Sequence, residues 1–400
     1  MPFKESCRVE ERIGLFRDYD TGAFAVTELC EQHGISRQTF YVWKQRRDAG
    51  EARWYEERSR AAHERPHAVD DERIAAIIAM RRRFGRFGPK KIRARLMVDQ
   101  PDIVWPAAST IGDIVKRAGL IEPRRRRRRG LKQGEIVAGA DVANGEWAID
   151  FKGWFRTRDG TRCDPLTISD TASRYLLEAR IMEQTYMAVR RALERIFGEC
   201  GMPYAMRSDI GAPFGSNGAG GLTRLSVWFL KLGIEPRFTR PASPQDNGRH
   251  ERMHRTLKDH TARPPAASPD DQQMRFDAFR HHYNEERPHE ALGQTPPAEL
   301  WRPSGRVLPA SLEEPWYDPD HQVRRVGHHG DIKWRTNRVF IGSALAGEPV
   351  GVAELETGGH LVRFANHDLG VIDRDGRFHR FAAPRTRLRC AAETTVTNEE

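Results

Sequence analysis

The sequence predicts a multidomain α+β protein. Helix-turn-helix units lie at the N-terminus, an α/β core with a mixed five-stranded sheet follows, and a small all-β domain closes the chain. Three patterns carry this reading. Apolar residues recur at helical spacing between glycine turns over residues 1–122. Strand-like and helical runs follow in the order β-β-β-α-β-α-β-α between Glu146 and Lys258. Short alternating runs separated by turns occupy the C-terminal end. A chain of 400 residues also exceeds one ordinary core. The expected boundaries are 1–60 and 68–122 for two helix-turn-helix domains, 123–140 for a basic linker, 141–301 for the core, 302–320 for a second linker, 321–383 for a small β-barrel and 384–400 for a disordered tail.

Composition narrows the class. At 38% hydrophobic and 30% charged, the chain has the balance of a globular protein. No run reaches the ~18–20 apolar residues of a membrane span, and MPFKESCRVEERIG lacks the apolar core of a signal peptide. Cys7, Cys30, Cys163, Cys200 and Cys390 are scattered and never spaced C-x-x-C, which argues against a disulfide framework or structural zinc. A cytoplasmic, nucleoid-associated protein is expected. The net charge of +10 is uneven: residues 1–140 hold 30 Lys+Arg against 20 Asp+Glu, and the remainder is balanced. That asymmetry marks the N-terminal third as the footprint of a polyanion such as double-stranded DNA.

In VTELCEQHGISRQTFYVWK, Thr27 is positioned to cap a helix that turns Val26, Leu29 and Cys30 inward. Gly34 supplies a left-handed turn and Ser36 caps a second helix, with Ile35, Phe40 and Trp43 on its buried face. Arg37, Gln38, Tyr41 and Lys44 are left outward, as on a recognition helix in a major groove. A second unit begins at a helix over Asp71–Arg83 with Ile74, Ile77, Ile78 and Met80 as its apolar positions. Pro89 opens another helix with Ile92 and Leu96 inward; a third is capped at or near Ser109 and ends at Gly119. Residues 81–132 carry 17 basic against 4 acidic residues, and Lys90, Lys91, Lys116 and Arg117 are the candidate DNA contacts. Arg124, Arg125, Arg126, Arg127, Arg128 and Arg129 form a run that cannot pack in a core and reads as a tether contacting phosphate or minor groove.

In EWAIDFKG, Trp147, Ile149 and Phe151 alternate with Ala148 and Asp150, so Asp150 faces away from the bulky apolar row. Strand runs at Pro165–Ser169 and Tyr175–Ile181 complete an antiparallel trio. A helix follows with Val189, Ala192, Leu193, Ile196 and Phe197 inward, closed near Gly201. Tyr204–Arg207 is a short strand delivering Asp209 to its end. Leu222, Leu225, Trp228, Phe229 and Leu232 mark another helix, Ile234–Thr239 another strand, and SPQDNGRHERMHRTLK a final helix bearing Glu251. This order of elements is that of an RNase H-like fold.

Asp150, Asp209 and Glu251 are the candidate catalytic residues. Hard divalent cations take oxygen ligands, and two of them can clamp the attacking and leaving oxygens of an in-line displacement. A polynucleotide phosphodiester is therefore the leading substrate. Glu251, Arg255 and Lys258 share one helix face at i, i+4 and i+7, which suits a surface meeting both metal and phosphate.

Five stretches, WAIDFKG, DPLTISDTASRYLL, RSDIGAPF, SPQDNGRHERMHRTLK and FRHHYNEERPHEALGQTPPAELW, resemble the integrase-core insertion-sequence transposases of the DDE superfamily, related to retroviral integrases. The resemblance covers about residues 140–301 and implies that Asp150, Asp209 and Glu251 form the catalytic triad, binding two Mg²⁺ ions with Mn²⁺ as a substitute. It also implies 3′-end cleavage and strand transfer by a multimer, at least a dimer; a helper ATPase is not specified, and no G-x-x-x-x-G-K-[ST] loop is present in this chain. Two departures stand out. The 41 residues between Asp209 and Glu251 exceed the spacing of many DDE integrases, with Gly215–Gly221 as a place for the extra length. Ile210 stands where an Asn or Gln commonly follows the second Asp.

Asp164, Asp170 and Asp246 read as turn and cap residues, His250 and His254 as surface histidines of an amphipathic helix, and Tyr283, Asn284, Arg287, Pro288 and His289 as packing of the last core helix. After a Pro- and acid-rich linker at Pro303–Asp320, runs at Ile332–Trp334, Arg338–Ile341, Pro349–Leu355, His360–Phe364 and Leu369–Asp373 fit an SH3-like barrel. Two other readings stay open: a decayed or repurposed transposase that only binds DNA, which Ile210 permits, and a plain RNase H-like nuclease, which needs no pair of sequence-reading units.

Overall fold

The computed structural model describes residues 7–58, 68–121, 141–239 and 248–382. The predicted linker 123–140 with its six-arginine run, Asp246 and the tail from 384 lie outside them. Two compact units divide at Asp70 and Asp71.

In the first unit, α1 (Arg8–Asp20), α2 (Val26–Gln32) and α3 (Arg37–Asp48) enclose Leu15, Phe16, Leu29, Cys30, Phe40 and Trp43. Gly34 takes φ +63°, a conformation that costs L side chains but not glycine, and turns α2 into α3. The Ser36 hydroxyl accepts from Thr39 N at 3.1 Å, as predicted. The predicted cap at Thr27 is corrected: the N-cap is Ala25, whose N–H donates to Glu28 Oε2 at 3.0 Å. A glutamate at the third helical position thus serves where the cap side chain has no oxygen.

The second unit begins with α4 (Asp71–Arg83), α5 (Pro89–Asp99) and α6 (Ala108–Arg117). Ile77, Met80, Ile92, Leu96, Ile111, Ile114 and Val115 are buried among them. Here Ala107, not Ser109, is the N-cap.

The central sheet consists of β1 (Glu146–Phe151), β4 (Pro165–Asp170), β5 (Leu176–Ile181), β6 (Ala205–Ser208) and β7 (Glu235–Phe238), in the order β5-β4-β1-β6-β7. A two-residue hairpin, β2 (Phe155–Arg156) and β3 (Arg162–Cys163), interrupts the chain after β1. β1, β4 and β5 pair antiparallel, whereas β6 and β7 run parallel to β1, the mixed five-stranded sheet predicted. On one face, α7 (Tyr186–Cys200) and α8 (Arg224–Lys231) bury Val189, Leu193, Phe197, Leu225 and Trp228 against Trp147, Ile149 and Ile168. On the other, α9 (Gly248–Thr261) and α10 (Pro269–His281) bury Met253, Leu257, Phe276 and Phe279 against Leu176 and Ala179. The predicted packing role of the last core segment holds for Asn284, whose amide bonds both N (2.8 Å) and O (3.0 Å) of Leu176.

Two attachments fix other elements to this core. The turn between α4 and α5 stacks Phe84 and Phe87 on His282 at centroid distances of 5.4 and 5.8 Å, and Arg86 pairs with Asp259 of α9 at 2.8 Å. Past α11 (Pro297–Leu300), the segment predicted as a linker contacts the core. Arg306 donates to the carbonyls of Pro203, Leu232 and Gly233, and Leu308 and Leu312 pack on the core cluster.

The C-terminal strands are β8 (Gln322–Arg325), β9 (Asp331–Trp334), β10 (Asn337–Phe340), β11 (Pro349–Glu354), β12 (His360–Phe364), β13 (His367–Ile372) and β14 (Phe378–Arg380). They form a five-stranded antiparallel sheet, β14-β13-β12-β11-β8, and a β9–β10 ribbon. Its hydrophobic cluster includes Ala219, Leu222 and Val227 from the core. The glycine-rich segment after Asp209 therefore seats this sheet. The Gly220 (φ +62°) carbonyl accepts from His367 Nε2 at 3.0 Å, and its N–H donates to Phe381 O at 3.0 Å.

A Cβ on Gly220 would stand 2.6 Å from His367 Nε2. Gly220→Val should therefore destabilise the second unit by about 1–3 kcal/mol, lowering its melting temperature. An unchanged melting temperature would show that the sheet is not held at this point.

Candidate metal and phosphate site

The site begins with strand register. β1 and β6 pair in parallel with Trp147 opposite Met206 and Ala148 opposite Arg207. Two residues further along each strand, Asp150 and Asp209 come level at neighbouring strand ends. Asp150 lies on the face opposite Ile149, the face that α9 covers. The first turn of α9 carries Glu251 there. Asp209 is exposed and accepts from Thr239 Oγ1 at 2.6 Å, so the end of β7 orients it.

The charges of Asp209 and Glu251 both act on Asp150. Burial, then the charge of Asp209, pushes the Asp150 carboxyl up to about 7, and Glu251 adds to the effect. Three carboxylates gathered so that one resists ionisation form an oxygen-donor set suited to hard divalent cations. Their donor chemistry suits such an ion, while among the described residues Asp150, Asp209 and Glu251 do not bring three ligand atoms within 4.8 Å of one another.

Lys152 was not singled out in the sequence, although strand alternation puts it on the same face as Asp150. Burial, and then Lys258, pull its pKa below the usual lysine value, while Asp150 and Glu251 oppose them. Lys152 and Lys258 are therefore cations facing the acidic cluster. Arg255 is exposed one turn from Glu251.

The expectation that His250 and His254 are surface histidines is corrected. They are 2% and 5% exposed and press against β4. His250 Nε2 and His254 Nε2 lie 2.8 and 2.6 Å from Thr167 Oγ1, and Ser169 Oγ lies 2.8 Å from His250 Nδ1. Burial first, with Lys152 adding, holds His250 down to about 3, and burial keeps His254 well below its ordinary value. Both rings are neutral. The available signal was the i, i+4 spacing of the histidines matched to Thr167 and Ser169, two small polar residues on one face of an otherwise apolar strand.

The other candidates sit apart from the acids. Arg37, Gln38 and Tyr41 are exposed on α3, and partly buried Lys44 pairs with Asp48 at 2.6 Å. Tyr41, Lys44, Gln45, Asp48 and Ala49 line a shallow hollow on that helix. Lys90 is exposed and pairs with Glu290 at 2.7 Å. Lys91 is turned inward, its pKa drawn down to about 7 by burial and then Arg287. Lys116 and Arg117 are exposed in the last turn of α6. Asp164 pairs with Arg162, and Asp170 accepts from Asn144 N and Ser173 N, the turn roles predicted for both.

Residues 232–297 match the family described as Integrase core domain, a segment that contains Glu251 but neither aspartate. The chain is 25% identical over 249 residues to the Insertion element IS407 uncharacterized 31.7 kDa protein of Burkholderia multivorans, covering 59% of this chain and 83% of that one. It is 24% identical over 229 residues to the Insertion element IS476 uncharacterized 39.2 kDa protein of Xanthomonas euvesicatoria, covering 56% and 63%. Among solved structures, the catalytic core domain of BIV integrase is similar at 22% identity and a TM-score of 0.30, over 40% of this chain and 93% of that one.

The raised Asp150 carboxyl has a testable consequence without metal. Its folded pKa of about 7 exceeds the unfolded carboxyl value, so stability falls as pH rises towards 7. Asp150→Asn should leave the melting temperature nearly unchanged near pH 3, where Asp150 is protonated in the folded and the unfolded chain alike. At pH 8 it should raise it by roughly 2–4 °C for each kcal/mol of burial cost and repulsion removed. Equal effects at both pH values would contradict the raised Asp150 carboxyl.

Proposed function

We propose that this chain, which belongs to the insertion-sequence transposases of the DDE superfamily, binds the ends of its element and catalyses divalent-metal-dependent 3′-end cleavage and strand transfer into target DNA. The observation that carries this reading is the level placement of Asp150 and Asp209 at neighbouring strand ends, where burial and then the charges of Asp209 and Glu251 resist ionisation of Asp150. Asp150, Asp209 and Glu251 would hold two Mg²⁺ ions, or Mn²⁺ in their place. Such ions, when bound, activate a water or 3′-hydroxyl and stabilise charge on the phosphoryl group.

The chain's own residues do the rest. Thr239 holds the Asp209 carboxylate in one orientation. Lys152, Arg255 and Lys258 neutralise phosphates entering beside the acids. On the first unit, α2 and α3 act as a helix-turn-helix whose Arg37, Gln38, Tyr41 and Lys44 read base edges of the terminal repeat. The α4–α6 unit adds phosphate contacts through Lys90, Lys116 and Arg117, with Lys91 supporting the unit from inside. The arginines 124–129 add salt-dependent affinity. Since both ends of an element must be joined together, the active form is a multimer, at least a dimer. The C-terminal sheet serves as an SH3-like accessory domain, and the protein works at the nucleoid. Among the described residues no helix is long and apolar enough to cross a membrane.

One observation favours a second reading, a repurposed DNA-binding protein: Ile210 removes the side-chain amide that commonly follows the second aspartate. Strand transfer by the purified protein separates the two, using its own element ends, a supercoiled target, and Mg²⁺ followed by EDTA. Metal-dependent joined product is expected; end binding without product in Mg²⁺ or Mn²⁺ would favour the second reading.

Asp150→Asn, Asp209→Asn and Glu251→Gln should each abolish joining and leave end binding nearly intact; strand transfer retained by Asp150→Asn would overturn the triad. Arg37→Ala with Lys44→Ala should cost about 1–3 kcal/mol of discrimination per lost base contact. Unchanged preference for element ends over random duplex would remove α3 from base recognition.

A further inference from the structure

Four buried neutral groups lie behind Asp150, and none of them is a metal ligand in the reading above. Ser169 Oγ is 2.8 Å from His250 Nδ1, and His250 Nε2 is 2.8 Å from Thr167 Oγ1. Thr167 Oγ1 is in turn 2.6 Å from His254 Nε2, and His254 Nδ1 is 3.8 Å from Asp150 Oδ2. Thr167 and Ser169 are 0% and 7% exposed, so water does not serve as their main partner.

Proton counting orders this cluster. A hydroxyl carries one proton, and a neutral imidazole carries one on either nitrogen. If Ser169 donates to His250 Nδ1, the His250 proton sits on Nε2 and is donated to Thr167. The Thr167 proton has two destinations, His254 Nε2 at 2.6 Å and the Asp150 carbonyl at 3.2 Å, and the shorter contact takes it. The His254 proton is then left on Nδ1, the atom facing the Asp150 carboxylate. The opposite tautomer would aim a lone pair at that carboxylate.

We propose that Ser169, His250, Thr167 and His254 form a directional hydrogen-bond chain that presents an Nδ1–H of His254 to Asp150, making His254 a positioning residue for that carboxylate. The same contacts tie two successive turns of α9 to β4, so Glu251, the residue after His250, inherits its place from them. No member need change its charge. Neutral chains of this kind polarise along their length and fix a ligand's orientation before an ion arrives. The proposal rests on reading Asp150 as a metal-binding carboxylate.

Histidine tautomers can be read directly by ¹⁵N spectra of the ¹⁵N-histidine-labelled, metal-free protein at neutral pH, with signals assigned by His250→Asn and His254→Asn. The expected pattern is Nε2–H on His250 and Nδ1–H on His254. An Nε2–H or doubly protonated His254 overturns the chain even if the protein is an active transposase. The second measurement is Mn²⁺ affinity by electron paramagnetic resonance, with kcat and KM for strand transfer alongside. Thr167→Val keeps shape but removes the relay, and should weaken Mn²⁺ binding or kcat by about 10–100-fold, as lost outer contacts to ligands do. KM for DNA ends should stay unchanged, and Thr167→Ser should restore both losses. A Thr167→Val protein that binds DNA ends and keeps the parent's Mn²⁺ affinity and kcat would reduce the cluster to packing. A parent protein that lacks strand transfer but shows the expected tautomers and Mn²⁺ response would sink the transposase reading while leaving the chain intact.

Discussion

The parallel pairing of β1 with β6 is the constraint on which the site depends. It sets two aspartates side by side at strand ends, an arrangement that repels itself, so something else must hold the register. Glu146 does this from the other end of β1. Its fully buried carboxylate accepts from Arg207 of β6 at 2.9 Å and from Arg237 of β7 at 3.1 Å. Arg207 stands two residues before Asp209, and Glu146 four before Asp150. A slip of one residue would break a buried ion cluster, at a cost of about 3–5 kcal/mol, and turn both aspartates to the wrong face. A closed charge trio low in the sheet thus fixes an open, like-charged trio at its edge.

The outer elements attach to that frame by specific means. An aromatic turn stacks α4–α6 on His282, and Arg306 ties the segment after α11 to three core carbonyls. The segment following Asp209 supplies three apolar residues to the C-terminal cluster. The long spacing between Asp209 and Glu251 has a structural use, because the surplus residues form the seat of another sheet.

Much of this was legible in the sequence because it obeys simple periodicities. Alternation in WAIDF located Asp150 on the face away from Ile149, helical spacing located the buried sides of α7 and α8, and Gly34 with Ser36 located the turn into α3. The misses have physical causes. Ala25 and Ala107 carry no capping oxygen, so polar neighbours Thr27 and Ser109 drew the prediction inward by two residues. β8 is four exposed residues on a sheet edge, Gln322–Arg325, with no apolar alternation to read. His250 and His254 looked like solvent-facing residues because a helix pattern cannot show that a strand opposite them carries hydroxyls. Burial of a polar residue depends on its partner, and here the partner lies more than eighty residues away in sequence.

The balance of charge around Asp150 follows from the same long-range pairing. The neutral ring of His254, 3.8 Å behind the Asp150 carboxylate, adds no positive charge there. Lys152 stands in front, where burial and then the charge of Lys258 make its own charge costly. An arriving phosphate relieves the lysines and an arriving cation relieves the carboxylates, so each ligand lowers the cost of holding the other's partners in place. Neither set of residues could be packed this closely with charges unmatched unless the frame beneath were rigid. On the proposed reading, binding of metal and DNA together would relieve the charge that each set imposes alone, and the Glu146 cluster would hold that charge in place in the folded chain.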